Sequence, residues 1–225
     1  MDFTGERFVP GFCDELLEAE HRERYVFAAE HATGKKVLDI ACGSGYGSRI
    51  LADRGAAEVT GVDLSAEAVS HAKEKYGRSG VTFLTADAEN YTSGCYDLVV
   101  SFETLEHLDK RDQFLHNLHT MIKSDGLLII STPNKAITSP LREGNKIRNH
   151  YHKYEYLENE FVAALEKAGF RVTGRYGQHT YPSVFKFQLF SRLFRRFKKI
   201  TPESACVTQY SGSTVRYFVF IASRK

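Results

Sequence analysis

Cysteine is scarce and scattered in this chain: Cys13, Cys42, Cys95 and Cys206 are its only four, and no two stand at C-x-x-C spacing. That pattern suggests neither a zinc site nor a disulfide framework, so a reducing cytoplasm is the expected setting. Long apolar runs are missing too. With no N-terminal apolar segment of the secretory kind and no stretch long enough to span a bilayer, a chain neither exported nor integral to a membrane is expected. Charge of one sign is also lacking, the formal net charge being +2 over 225 residues. Overall charge is therefore excluded as the driver of nucleic-acid binding, although a local basic patch is not. No internal repeat or low-complexity segment occurs, and the length suits one domain with a sheet covered on both faces.

What is present begins with Val37-Leu38-Asp39-Ile40-Ala41-Cys42-Gly43-Ser44-Gly45-Tyr46-Gly47, an apolar strand emptying into a glycine-rich turn. Gly43, Gly45 and Gly47 allow positive φ and close approach of a ligand, and the helix that follows offers unpaired N–H groups. A dinucleotide fingerprint needs G-x-G-x-x-G, but Ser48 or Ile50 holds the third glycine's place. A phosphate-binding P-loop would end in Gly-Lys-Ser/Thr, and that ending is absent.

Strand and helix patterns alternate with short connections, which predicts a mostly parallel sheet with crossover helices. Strands are expected at Lys36–Ile40, Glu58–Asp63, Val81–Ala86, Tyr96–Ser101, Gly126–Thr132, Phe170–Tyr176 and Ser213–Ala222. Helices are expected at Cys13–His31, Gly47–Asp53, Ala66–Tyr76, Lys110–Ile122 and Leu157–Ala168, with Ser65 capping the third and Gly77 stopping it. Two segments stand apart within this single domain of residues 1–225. An acid-rich N-terminal helix, about 1–32, is placed to close over a ligand. An insertion at about 183–200 is basic, and its Phe187, Phe190, Leu193, Phe194, Phe197 and Ile200 recur at helical spacing. It reads either as a lid packing its aromatic face on the core or as a surface for an anionic partner.

Asp39 before the turn and Asp63 at the end of the second strand make the region similar to the class I S-adenosylmethionine (SAM) methyltransferases. Their first motif is D-x-G-x-G-x-G, met here with Ala41 in place of the first glycine. The resemblance implies a Rossmann-like α/β fold: a seven-stranded sheet whose last strand is antiparallel, with helices on both faces. It also implies a SAM pocket. Ala41, Gly43 and Gly45 would form the turn for the methionine portion, and Asp63, with Leu64 beside it, would take the ribose hydroxyls. Asp87 and the Ala88 N–H would meet adenine, and Phe102 would line the methyl-donor region. Arg24 is placed to pair with the methionine carboxylate. Acids at consecutive strand ends fit the general rule that open parallel sheets bind ligands beyond the carboxyl ends of their strands.

After the fourth strand comes Phe102-Glu103-Thr104-Leu105-Glu106-His107. If this block is helical, Glu103, Glu106 and His107 fall on one face, a donor set suited to Mg²⁺ or Mn²⁺. The E-x-x-E-H block resembles that of the ubiquinone-biosynthesis O-methyltransferases and of the small-RNA 3′-terminal 2′-O-methyltransferases, and so implies a metal. The RNA enzymes add a histidine from a later H-x-F-E-W segment. Here His152-Lys153-Tyr154-Glu155-Tyr156 matches it, while the quinone-type register selects His150, leaving the fourth ligand open between the two. Whichever of His107, His150 and His152 is not tied to metal could serve as general base.

Both metal-using families act on adjacent oxygens, a catechol or a cis-diol, so O-methylation of one member of a vicinal hydroxyl pair is expected. From Gly5-Glu6-Arg7-Phe8-Val9-Pro10 to Tyr176-Gly177-Gln178 the layout is similar to bacterial methyltransferases of cell-surface glycan and sugar biosynthesis. A sugar, a nucleotide sugar or a related small molecule, with or without a phosphate, is the acceptor this implies. RNA, a quinone precursor, and a non-catalytic SAM-binding role stand as the alternatives.

Overall fold

A computed structural model describes residues 15–139, 147, 149–182, 202–211 and 213–225. The basic insertion expected at 183–200 and the first fourteen residues of the expected N-terminal lid, including Cys13, lie outside the described residues. In chain order the elements are α1 (Glu15–Ala29), β1 (Lys36–Ile40), α2 (Tyr46–Asp53), β2 (Glu58–Asp63), α3 (Ala66–Tyr76), β3 (Val81–Thr85), β4 (Tyr96–Ser101) and a 3₁₀ turn (Leu105–His107). There follow α4 (Arg111–Met121), β5 (Ile122–Pro133), α5 (Lys135–Thr138), α6 (Glu158–Lys167), β6 (Phe170–Pro182), a second 3₁₀ turn (Pro202–Ala205), β7 (Thr208–Gln209) and β8 (Ser213–Arg224).

The sheet runs β3-β2-β1-β4-β5-β8-β6-β7. Its first five strands are parallel, and β8 is antiparallel to both β5 and β6. The expected seven strands are all present with the last one antiparallel; the eighth is the two-residue β7 on the edge beside β6. Period-two alternation feeds both faces of the central strands. Leu38, Val99, Leu128, Ile130, Phe218 and Phe220 pack with Phe114, Leu118 and Phe161 of α4 and α6. Their neighbours Val37, Leu98, Val100, Ile129, Val219 and Ile221 pack with Tyr25 and Ala28 of α1 and Leu51 of α2. A third cluster seats Val69 and Ala72 of α3 on Val81 and Phe83.

Local chemistry sets the element ends. Ser65 caps α3 by accepting from the Ala68 N–H at 3.2 Å. β6 runs longer than expected because β8 pairs along it from Phe170↔Arg224 to Pro182↔Ser213, and β5 starts earlier than expected, at Ile122, which pairs with Tyr96 of β4. No helix among the described residues is long and apolar enough to cross a membrane.

Candidate functional site

A cavity of about 480 Å³ opens at the carboxyl ends of β1, β2 and β4, roofed by α1. It is lined by Arg24, Ala41, Gly43, Asp63, Leu64, Asp87, Ala88, Phe102, Glu103, Glu106, His107 and His152. Asp39, Gly45 and His150, the other residues singled out from the sequence, are not in its lining. Asp39 lies fully buried beneath the glycine turn, where its carboxylate accepts from the Tyr25 hydroxyl at 2.9 Å and the Ser48 hydroxyl at 2.6 Å. Gly45 caps α2 at φ +82°, and a Cβ there would stand 2.6 Å from Ala72 Cβ and 2.9 Å from the Phe83 ring. His150 is exposed and packs its ring 4.0 Å from that of Tyr151.

The turn itself is held by β2. The Gly43 N–H donates to Asp63 Oδ2 at 2.8 Å and the Ser65 N–H to Asp63 Oδ1 at 2.9 Å. Ala41 occupies the left-handed region at φ +61°, so the departure from glycine is accommodated with strain rather than by a different turn. Asp87 accepts from the Glu89 N–H at 2.9 Å and the Asn90 amide at 2.6 Å, and its backbone neighbours complete that wall.

The acidic block does not form a helix face as expected. Glu103 lies in the left-handed region at φ +48°, and only Leu105–His107 turn, as a 3₁₀ segment. What positions the carboxylates is the end of β5. Ser131 Oγ accepts from the Glu103 N–H at 3.1 Å and donates to Glu103 Oε1 at 2.6 Å, while Thr132 donates to Glu106 Oε2 at 3.1 Å. Glu106 is wholly buried, and its Oε1 has no hydrogen-bond partner. Burial, then the neighbouring Glu103, push its carboxyl well above the usual range. Burial raises Glu103 as well, opposed by Arg24 and the Ser131 hydrogen bond.

Glu106, His107 and His152 bring one ligand atom each within 4.8 Å of one another. Both imidazoles are oriented from behind. His107 Nδ1 lies 3.1 Å from the Tyr151 carbonyl, which can only accept, and His152 Nδ1 lies 2.8 Å from Glu155 Oε1. Each ring therefore carries its proton on Nδ1 and presents the Nε2 lone pair, which in His152 lies 2.9 Å from the Asn149 side-chain amide and in His107 lies 3.9 Å from Glu106 Oε1. Burial would raise the Glu155 carboxyl, but hydrogen bonds from His152, Thr138 and Ser139 outweigh it and hold it below the usual range. The segment is closed down on the turn by the Lys153 and Tyr154 N–H groups, which donate to the Glu106 carbonyl at 2.8 and 3.1 Å.

On the α1 side, Arg24 is 1% exposed, donates from Nη1 to Gln178 Oε1 at 2.6 Å and lies over the Tyr217 ring at 5.3 Å. Its Nε has no partner. Burial would lower its pKa, but Glu103, Tyr217, Glu20 and Tyr46 together raise it, so the guanidinium is firmly charged. His21, also in the lining, is held well below an ordinary histidine by burial and by Arg24, and is neutral near pH 7. Sequence reading missed His21, Tyr217 and Asn149, which carry no spacing signal of their own. Glu155 and Gln178 stood in matched segments, but their contacts cross distant parts of the chain.

A strand-end cavity of this kind on a 3-2-1-4-5 parallel sheet defines a class of fold, and residues 38–130 match the family described as "Methyltransferase domain". A probable S-adenosylmethionine-dependent methyltransferase of Mycolicibacterium smegmatis is 32% identical over 178 residues, 79% of this chain and 68% of that protein. The chain belongs to the SAM-dependent methyltransferases and is a methyltransferase enzyme. A ubiquinone biosynthesis O-methyltransferase of Paraburkholderia xenovorans is 37% identical over 125 residues, and the chain spans only 53% of its length. Among solved structures, a SAM-dependent methyltransferase from Mesorhizobium loti superposes with a TM-score of 0.65 at 17% identity, covering 91% of this chain and 100% of the other, a likeness of fold.

Proposed function

We propose that this enzyme O-methylates one hydroxyl of a vicinal pair on a small molecule, a sugar or nucleotide sugar being the favoured class, with a divalent cation held beside SAM. The observation that carries the reading is Glu106 Oε1, a buried carboxylate oxygen without a hydrogen bond, converging with the Nε2 sides of His107 and His152. An anionic oxygen left unpaired in a protein interior is costly, and a cation relieves that cost. The donor set of one carboxylate and two imidazoles, with Glu103 adjoining, suits Mn²⁺ or Mg²⁺.

SAM fits the other half of the cavity. The Ala41–Gly45 turn would receive the methionine portion, with Asp39 and Gly45 shaping the turn from beneath. Asp63 would accept from the ribose hydroxyls, and Leu64, 72% exposed at the mouth, would cover the adenine with Asp87 and Ala88 at its edge. Arg24, charged, buried and with Nε unpaired, would meet the methionine carboxylate. Phe102, which lines the cavity one residue before Glu103, would face the methyl-donor region.

When bound, SAM supplies an electrophilic methyl group, and a divalent cation supplies the Lewis acidity that lowers the pKa of a facing hydroxyl. Glu106, His107 and His152 fix the position from which that hydroxyl would be oriented, and Tyr151 and Glu155 hold the two imidazoles in one tautomer. With His107 and His152 engaged by the cation, neither is left as a general base; His21 lines the same cavity, but the burial and the Arg24 charge that hold it neutral make it a weak one.

A catechol or quinone precursor is the second reading, favoured by the 37% identity to a ubiquinone biosynthesis O-methyltransferase, and it uses the same chelating geometry. Methyl transfer from SAM should be measured against nucleotide sugars, catechols and short RNA, each with Mn²⁺, with Mg²⁺ and with excess chelator. Turnover of a vicinal-diol sugar that stops in chelator supports the reading. Full turnover in chelator, or turnover confined to lone hydroxyls, refutes it.

A further inference from the structure

The geometry points to Gln178 as a positioning residue that aims Arg24 at the cofactor's carboxylate, an inference that rests on the proposed carboxylate role of Arg24. Gln178 is fully buried on β6, outside the cavity lining, and all its side-chain bonds go to three separate places. Its Oε1 accepts from Arg24 Nη1 at 2.6 Å, and its Nε2 donates to the Glu20 carbonyl at 2.9 Å and to the Ala205 carbonyl at 2.5 Å. With both amide hydrogens committed to carbonyls, the amide cannot flip. Its oxygen is therefore fixed toward Arg24, and that bond fixes the plane of the guanidinium.

The strand is distorted to make this possible. Successive side chains of a regular strand point to opposite faces, yet Gln178 and His179 both reach α1. His179 sits at φ +53°, a left-handed conformation that is unusual for histidine, and its Nε2 meets Glu20 Oε1 at 2.7 Å while Nδ1 meets Ser204 Oγ at 2.9 Å. Such strain persists only where the surroundings over-determine it, and it gathers at ligand clamps. Tyr217, the cross-strand partner of Gln178, supplies the aromatic face on which the same guanidinium lies. One side of Arg24 is thus spoken for by β6 and β8, and its remaining N–H groups, the unpaired Nε among them, are left for a ligand.

If Gln178 only docked α1 on the sheet, its loss would weaken every ligand of the cavity alike. If it aims Arg24, the loss falls on ligands that carry the carboxylate. Calorimetric titration of the full chain with S-adenosylhomocysteine and with 5′-methylthioadenosine, which keeps the adenosine and sulfur but lacks the amino acid, separates the two. Gln178→Met is expected to weaken S-adenosylhomocysteine about tenfold or more and to leave methylthioadenosine within about twofold. Gln178→Asn, one methylene short of Arg24, is expected to show the same selectivity at smaller size. Equal losses for both ligands, or no loss for S-adenosylhomocysteine, overturn the inference. Arg24→Met tests the reading beneath it: a selective loss there with an unselective one at Gln178 refutes only the role of Gln178, whereas an unselective loss at Arg24 refutes the carboxylate contact itself.

Discussion

Ser48 donates its hydroxyl to Asp39 at 2.6 Å, joining the first turn of α2 to the last turn-facing residue pair of β1. Ser48 occupies the place where a dinucleotide fingerprint would have its third glycine. A buried hydroxyl there serves a different end, since it helps hold an acid beneath the turn rather than clearing backbone for a pyrophosphate. The Tyr25 hydroxyl reaches the same carboxylate from α1, so one buried acid ties together the strand, the helix after the turn and the roof of the cavity.

That acid should leave a mark on stability. Burial pushes Asp39 up to about 6, against the hydrogen bonds from Ser48 and Tyr25 that favour its anion. The folded protein thus holds a proton that the unfolded chain releases near the ordinary aspartate value. The stabilising contribution is present below about pH 4 and lost as pH rises through 6. Asp39→Asn, which cannot ionise, should gain on the order of 3 kcal/mol relative to wild type between pH 4 and pH 7. Urea unfolding of both proteins across that range measures the difference.

Gly47 is fixed by contact. A Cβ there would lie 2.0 Å from the Tyr25 ring, which packs edge-on against Tyr46 and Phe102. Gly47→Ala should displace Tyr25 and with it α1, costing about 1–3 kcal/mol. Thermal melting reads the stability loss, and a parallel titration with S-adenosylhomocysteine should show weakened binding.

Ala41, at φ +61°, carries strain that glycine would not. Ala41→Gly should be neutral to stabilising, by up to about 1 kcal/mol after allowing for glycine's greater entropy in the unfolded chain. Equilibrium unfolding would show this directly, and a loss of more than that amount would mean the methyl group is needed for packing.

The sequence pattern made the sheet legible because each central strand is apolar on both faces and each ends in a turn residue or an acid. Asp63 and Asp87 could be placed at the cavity from their strand-end positions taken together with the methyltransferase resemblance. The E-x-x-E-H block shows where pattern reading stops. Helical spacing put Glu103, Glu106 and His107 on one face, but β5 supplies Ser131 and Thr132 to hold the two carboxylates separately, and Glu103 takes a left-handed backbone instead. Long-range partners of this sort decide local conformation and leave no periodic trace. The same is true of Gln178, whose partners lie 154 and 158 positions away.

The two histidine registers make opposite demands on mutants. His152 lines the cavity and joins the three-residue cluster, whereas His150 is exposed against Tyr151. His152→Ala and His107→Ala should lower metal-dependent turnover on the order of 100-fold, with S-adenosylhomocysteine binding little changed. His150→Ala should retain nearly full activity in the same assay; if it is the more damaging change, the quinone-type register is the correct one.

Metal assistance is the central claim, and Mn²⁺ uptake followed by electron paramagnetic resonance tests it without needing the acceptor. Wild-type protein with S-adenosylhomocysteine present is expected to take up one Mn²⁺, and Glu106→Gln to lose that binding by about 100-fold or more. Equal uptake by the two proteins, or none by the wild type, would contradict a cation site at Glu106, His107 and His152.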